Sequence, residues 1–219
     1  MLPRFRLLRA AMDCSHKFWD RIANRYSAQP VADEASYQRK LEVTREYLRP
    51  DMTVFEFGCG TGSTAIAHSP FVRRITAIDV SEKMIEIARS KAQAEGVTNV
   101  VFEQSTIDAF SGDPASFDAV LGLSILHLVE DRERVIRKVY GLLKPGGVFV
   151  SSTACLGGTP WRFIKYVAPL GRVFGLLPMV KSFSPKELEQ SLVSAGFSIG
   201  HRWQPGDGMV VFVVATKSS

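Results

Sequence analysis

Cysteine is scarce in this 219-residue chain. Cys14, Cys59 and Cys155 are an odd number, with neither a C-x-x-C pair nor a Cys/His ligand spacing. That pattern excludes a disulfide framework and a structural zinc site, and a reducing, cytoplasmic setting is the expectation. Long apolar runs are also missing, and no uninterrupted segment reaches the ~20 residues that span a bilayer. The opening Met1 to Met12 threads Arg4, Arg6 and Arg9 through its apolar residues, so it lacks the continuous apolar region of a secretory leader. Those arginines also supply three of the charges behind a net +5, and no Lys/Arg run follows them, so a nucleic-acid partner is not expected. Residues 1–14 read as an arm of uncertain order. Leu2, Phe5, Leu7 and Leu8 among the arginines leave peripheral contact with anionic lipid as an alternative.

What the chain does have is 46% hydrophobic residues, enough to bury the core of one sizeable domain. Its most distinctive stretch is Val54-Phe-Glu-Phe-Gly-Cys-Gly-Thr-Gly62, an apolar run with one acid followed by glycine at every second position. Alternating glycines let the backbone turn sharply off a strand and let a ligand reach main-chain N–H groups. The spacing is Glu-x-Gly-x-Gly-x-Gly. It is neither the Gly-x-Gly-x-x-Gly of dinucleotide enzymes nor the Lys-Ser/Thr ending of a triphosphate loop, since Ser63 and Thr64 follow.

Ahead of this loop, Phe18, Trp19, Ile22 and Tyr26 fall at helical spacing, with Ser15 as an N-cap, and a second helical pattern covers 34–48 up to Pro50. Residues 15–50 thus form either a docked helical layer or a lid, and in a lid Tyr26 offers its hydroxyl to the pocket. Beyond Met52 strands and helices alternate. The strands are Val54–Phe57, Ile75–Asp79, Val100–Glu103, Phe117–Leu123 and Val148–Ser152. The helices are Ser63–His68, one capped by Ser81 and stopped by Gly96, and one over about 131–143. This alternation predicts an α/β fold, a doubly wound and mostly parallel seven-stranded sheet with helices on both faces. Its last strand is antiparallel, because Ile199–Trp203 and Met209–Thr216 read as a terminal pair. Ser184-Pro185-Lys186-Glu187 combines a capping box with proline at the first helical position and predicts a helix whose Leu188, Leu192 and Val193 face inward. Between lies an apolar insertion at about 156–183, where Pro169, Gly171, Gly175 and Pro178 exclude one long helix and short cap helices are expected. The main domain is 51–219 including that cap.

A sheet of this kind binds its ligand at the carboxyl ends of its strands. Asp79 ends the second strand, where a carboxylate can accept hydrogen bonds from a ribose diol. The loop, the helix after it and Asp79 together resemble the class I S-adenosylmethionine-dependent methyltransferases. Phe117-Asp-Ala-Val-Leu-Gly-Leu-Ser-Ile-Leu-His127 is similar to that family's fourth-strand motif, and Leu142-Leu-Lys-Pro-Gly-Gly-Val-Phe-Val150 to its helix-turn-strand motif. The resemblance covers roughly 15–155 with the last strands, and implies S-adenosylmethionine as cofactor. Glu56 and the backbone of Gly58, Cys59 and Gly60 would hold its methionine part, Asp79 the ribose, and Val80 the adenine. The family's acid after the third strand is replaced by Gln104-Ser105-Thr106-Ile107-Asp108, which makes Thr106, ahead of Asp108, the expected adenine contact. Ser124 would lie near the reacting methyl, with His127 and Tyr26 as the catalytic candidates. Phe18 to Tyr26 resembles the family's amino-terminal lid.

A sulfonium methyl is already activated, so the reaction asks mainly for alignment of acceptor, methyl and sulfur away from water. A base is needed only for an acceptor protonated at neutral pH, and a pKa near 7 suits that task. His127 is best placed for it; a structural histidine is the rival reading. His16 is a weaker candidate, while His68 and His201 read as surface residues. Nucleic-acid amino methyltransferases of this fold carry an Asn/Asp-Pro-Pro-aromatic run where this chain has Ser124-Ile-Leu-His127, so a base is disfavoured as substrate. Trp161, Phe163, Tyr166 and Phe174 in the cap favour a small hydrophobic or aromatic acceptor, quinone-like or lipid-like. The competing functions are an S-adenosylmethionine binder without transfer and a nicotinamide-dependent oxidoreductase, the latter opposed by the glycine spacing. Oligomeric state is left open.

Overall fold

In the computed structural model, which describes residues 3–157, 180–205 and 208–218, with side chains from residue 16 onward, the first helix is longer than its aromatic stripe suggests. Helix α1 runs from Pro3 to Ala28 and passes straight through Ser15, which is therefore no N-cap. The physical reason is propensity. Arg6-Leu-Leu-Arg-Ala-Ala-Met12 consists of strong helix formers, and nothing in 13–15 breaks the run. Helix α2, Glu34–Arg45, starts where Asp33 accepts a hydrogen bond from Ser36 N. It ends before Leu48 because the amides of Tyr47 and Leu48 turn back to Thr44 O and Arg45 O, the tighter i−3 pattern of a closing turn ahead of Pro50.

The seven strands are β1 (Thr53–Phe57), β2 (Arg74–Asp79), β3 (Val100–Gln104), β4 (Phe117–Leu123), β5 (Leu143–Ala154), β6 (Phe197–Trp203) and β7 (Val210–Lys217). They form one sheet in the order β3-β2-β1-β4-β5-β7-β6. Only β7 runs against its neighbours, β5 and β6, so the expected antiparallel last strand is found. Strand β5 begins earlier than the apolar run at 148. Leu143 pairs with Phe117 and Val148 with Ala119, and the Lys144-Pro-Gly-Gly147 turn forms a bulge between the two registers.

Helices α3 (Ser63–His68), α4 (Glu82–Ala94), α5 (Arg132–Leu142) and α6 (Pro185–Ser194) cover the faces. Phe55, Phe57, Phe149 and Val213 pack with Ile136 and Val139 of α5 and Leu188 and Leu192 of α6. Val54, Ile75, Leu121 and Phe212 pack on the other face with Ile85 and Ala88 of α4. Each of these large side chains, fully buried, contributes roughly 1.5–3 kcal/mol. The capping box of α6 is present, with Ser184 and Glu187 bonding reciprocally. Val193, however, is 60% exposed, because the inward stripe is Leu188, Ser191 and Leu192 and the next position turns about 100° away. The apolar cap expected around 160–180 lies almost wholly outside the described residues. Among those described, no helix is long and apolar enough to cross a membrane.

This topology positions the site. Strand β1 pairs with β2 on one side and β4 on the other, so the chain's winding reverses between β1 and β4. The crevice beyond the carboxyl ends of these strands is the switch point where such sheets bind ligands.

Candidate active site

The turn leaving β1 is built from three left-handed glycines, Gly58, Gly60 and Gly62, with φ of 68°, 53° and 77°. Their roles differ. A Cβ on Gly58 would lie 2.7 Å from the Ile125 side chain, and one on Gly62 would strike Ala88 Cβ at 2.7 Å and the Phe102 ring at 2.8 Å. A Cβ on Gly60 would meet nothing within 4 Å. Gly58 and Gly62 therefore serve close packing, and Gly60 presents open backbone to the crevice. Cys59 is buried between them, its N–H donating to Ile78 O and its thiol held well above the ordinary range, first by burial and then by Glu56 and Asp79. Lys91 of α4 braces the loop through Thr61 Oγ1 at 3.1 Å and Ser63 Oγ at 3.2 Å.

Two carboxylates face this loop from adjacent strands. Asp79 is 9% exposed; Oδ2 accepts from Gly60 N and Oδ1 from Ser81 N, each at 2.9 Å. Burial pushes its pKa up, and these backbone bonds pull it part of the way back. Glu56 is 2% exposed, and its Oε2 has no hydrogen-bond partner among the described residues. Burial first, and then the charge of Asp79, raises Glu56 to about 8. An orphaned carboxyl oxygen beside open backbone is unfavourable unless a cationic or donor-rich group completes it.

The sequence-predicted residues at the adenine end separate. Gln104 Nε2 donates to Val80 O at 3.2 Å, and Ser105 N donates to Asp79 O, so the 104–106 backbone runs beside the acid and half-buried Val80. The Thr106 hydroxyl is already engaged, accepting from Ala109 N at 3.1 Å. Asp108 is drawn away to Arg134 of α5 at 2.8 Å. At the end of β4, Ser124 takes φ of +57°, a conformation uncommon for a residue with a Cβ, and its N–H donates to Ser152 O. His127 follows, its Nδ1 lying 3.1 Å from Thr153 Oγ1 while its carbonyl accepts from Lys181 N. Burial takes the His127 ring down to about 4, well short of the neutral value that base catalysis suggests, so it is an uncharged imidazole at physiological pH.

From the amino-terminal helices, Tyr26 remains 48% exposed, in an edge-on contact with Trp19. Its phenol is raised by desolvation and by Asp79, which places it on the site's side of α1. Two neighbours went unassigned in the sequence. Tyr37 of α2 bonds Thr64 and senses the Glu56 charge, and Asp20 of α1 bonds Ser81 Oγ at 2.6 Å. Both sit on ordinary amphipathic helices, and only the packing of those helices reveals what they face.

His68 reverses its surface reading. It is 0% exposed at the end of α3, neither ring nitrogen has a partner among the described residues, and burial, helped by Arg45, lowers it to about 4. A histidine depressed from 6.5 to about 4 contributes stability that is complete above ~6.5 and lost as pH falls through ~4. The loss should reach roughly 3 kcal/mol. Urea midpoints of the wild type and His68→Leu at pH 7 and pH 4 check this, and the variant should fall less on acidification.

The comparisons with known proteins agree with this geometry. The family described as "Methyltransferase domain" matches residues 54–147, from β1 to the turn before the long part of β5. A ubiquinone biosynthesis O-methyltransferase of Xanthomonas axonopodis pv. citri is 32% identical over 166 residues, covering 73% of this chain and 69% of that protein. The chain belongs to the class I S-adenosylmethionine-dependent methyltransferases. The chain is also 32% identical over 152 residues to a ubiquinone biosynthesis O-methyltransferase of Methylocella silvestris, spanning 67% of its own length and only 58% of that relative. A solved S-adenosylmethionine-dependent methyltransferase from Mesorhizobium loti shares the fold, with a TM-score of 0.67 and 23% identity over 82% of this chain and 96% of that one. The chain's own residues fit the family's cofactor, since the unpartnered Oε2 of Glu56 suits an ammonium and the open face of Gly60 admits a ligand against the backbone. Among the described residues, no group of three His, Cys, Asp or Glu side chains could hold a metal ion.

Proposed function

We propose that the protein methylates a hydroxyl of a small, hydrophobic, quinone-like acceptor with S-adenosylmethionine as donor. The observation that carries this reading is the pair of buried carboxylates, Glu56 and Asp79, facing a glycine turn at the switch point of the sheet. Relatives that methylate oxygen in ubiquinone biosynthesis support the acceptor class, as does the aromatic sequence of 160–180.

In this reading Glu56 holds the ammonium of the methionine end, with the backbone of Gly58, Cys59 and Gly60 beside it. Asp79 holds the ribose. Each of its oxygens accepts one backbone N–H, and a second lone pair on each is left for a ribose hydroxyl. Val80 and the backbone around Thr106 bound the adenine, Ser124 approaches the methyl, and α1 and α2 form the lid that brings Tyr26 to the pocket. Once bound, the donor would supply an activated methyl to the acceptor oxygen, the sulfur keeping the electron pair of the bond that breaks.

The acceptor's proton needs a destination, and His127 provides one. In the tautomer that donates Nδ1–H to Thr153 Oγ1, 3.1 Å away, Nε2 keeps its lone pair for the acceptor's O–H. A neutral imidazole is ready at every pH above about 4, and a phenolate forming beside it favours the imidazolium. His127→Ala should reduce turnover of a catechol- or quinol-type acceptor by roughly 10²- to 10⁴-fold. Its affinity for S-adenosylhomocysteine should stay within about twofold. Turnover equal to wild type would remove His127 from the reaction. Absence of any labelled product from the wild type, with intact cofactor binding, would replace the enzyme with a binding protein.

A further inference from the structure

Over residues 16–28 of α1 only Ala23 is fully buried; Phe18, Trp19 and Ile22 are half-buried along α4. So thin an apolar seam gives polar contacts a large share in holding this part of the helix. Asp20 provides a pin, since its Oδ1 accepts from Ser81 Oγ at 2.6 Å and from Lys83 N at 3.2 Å, capping the first turn of α4 from outside that helix.

Ser81 is the N-cap of α4 and is fully buried, and each of its polar groups is used. Its O–H donates to Asp20, its Oγ accepts from Met84 N at 3.1 Å, and its N–H donates to Asp79 Oδ1 at 2.9 Å. One serine therefore joins the lid to the acid assigned to the ribose. Two carboxylates converge on it, and their mutual repulsion would push α1 outward if the hydrogen bonds were not made. Trp19 lies next to Asp20 in the chain and contacts Tyr26, with ring centroids 6.3 Å apart, so Asp20 anchors the same stretch of α1 that carries Tyr26.

We infer that Asp20 is a positioning residue, a latch that holds the lid helix on the N-terminus of α4 and so makes cofactor retention depend on the Asp20–Ser81–Asp79 chain. The inference rests on the reading of this site as the S-adenosylmethionine site. Asp20→Ala should raise the dissociation rate of S-adenosylhomocysteine, followed by stopped-flow intrinsic tryptophan fluorescence, at least tenfold, and raise KM for the donor with kcat within about threefold. Asp20→Asn keeps an oxygen acceptor at the same place and should stay within about threefold of wild type. In the ligand-free protein, hydrogen exchange of α1 amides should speed up in Asp20→Ala while β1 and β4 are unchanged. If Asp20→Ala does not fold, Asp20→Glu, which displaces the carboxylate by one methylene, should show the same faster release. An unchanged dissociation rate, or Asn as impaired as Ala, overturns the latch. A wild type that fails to bind S-adenosylhomocysteine at all overturns the site reading instead, and the exchange measurement still decides whether Asp20 pins α1.

Discussion

The affinity for S-adenosylmethionine is expected to rise about tenfold per pH unit from about pH 6 to pH 8, with one proton released per molecule bound at neutral pH. Glu56 is the cause. In the free protein its carboxyl titrates at about 8, so at pH 7 most molecules carry it protonated. An ammonium placed against its unpartnered Oε2 favours the carboxylate, and the difference appears as a released proton. The amino group of the ligand titrates near 8 as well, so the curve should crest there and decline at higher pH. Glu56→Gln should flatten the rising limb and weaken binding roughly a hundredfold near pH 8, the consequence of leaving a buried ammonium without its counter-charge.

Calorimetry in two buffers of different ionisation enthalpy counts the proton directly. A flat profile with no proton exchange would place Glu56 away from the ammonium. Stability supplies an independent signature. Because the folded pKa lies above the unfolded value of 4.5, the stability Glu56 contributes is complete below about 4.5 and is lost as pH rises through about 8. Glu56→Gln mimics the neutral acid, so the ligand-free variant should be more stable than wild type at pH 8, by roughly a few kcal/mol. One substitution should thus weaken cofactor binding and strengthen the fold, a combination that a purely structural glutamate would not produce.

The second large effect separates two glycines that look equivalent in sequence. Gly62→Ala should destabilise the protein by about 3 kcal/mol. Part of this is the cost of holding a Cβ at φ of +77°, roughly 1–2 kcal/mol. The remainder is the overlap with Ala88 and the Phe102 ring, neither of which is the flexible end of a long side chain. Since a kcal/mol moves the midpoint of a chain this size by roughly 2–4 °C, the melting temperature should fall about 6–12 °C. Gly60→Ala carries only the conformational part, because its Cβ would enter open space. That space is the proposed approach path of the cofactor, so Gly60→Ala should lower affinity at least tenfold while melting only about 2–8 °C below wild type. Equal melting losses for the two variants, with affinity unchanged in Gly60→Ala, would refute this division of labour.

Local rules decided much of this protein from sequence alone. Alternating apolar runs and helical stripes placed β1 to β5, Ser81 and Ser184 marked the helix starts they cap, and Gly96 and Gly196 take the positive φ that closes α4 and α6. These features depend on neighbours a few residues away, so the chain states them directly. The Glu-x-Gly-x-Gly-x-Gly run and Asp79 belong to the same class, because strand, turn and strand end follow one another along the chain. Relations between distant segments were not legible. His68 reads as a surface residue by composition but is fully buried within reach of the Arg45 charge, and Val193 fits an inward stripe whose phase was set by the packing of α6. Asp20 and Tyr37 are unremarked polar residues of amphipathic helices until α1 and α2 dock on the glycine loop and the cap of α4. Burial also moved His127 down and Glu56 up, and desolvation depends on how many atoms from all parts of the chain surround a group. The sequence by itself determined which backbone turns into the crevice proposed for the methyl donor. The tertiary structure decided which side chains are starved of partners there, and so which carboxyl the proposed donor would complete.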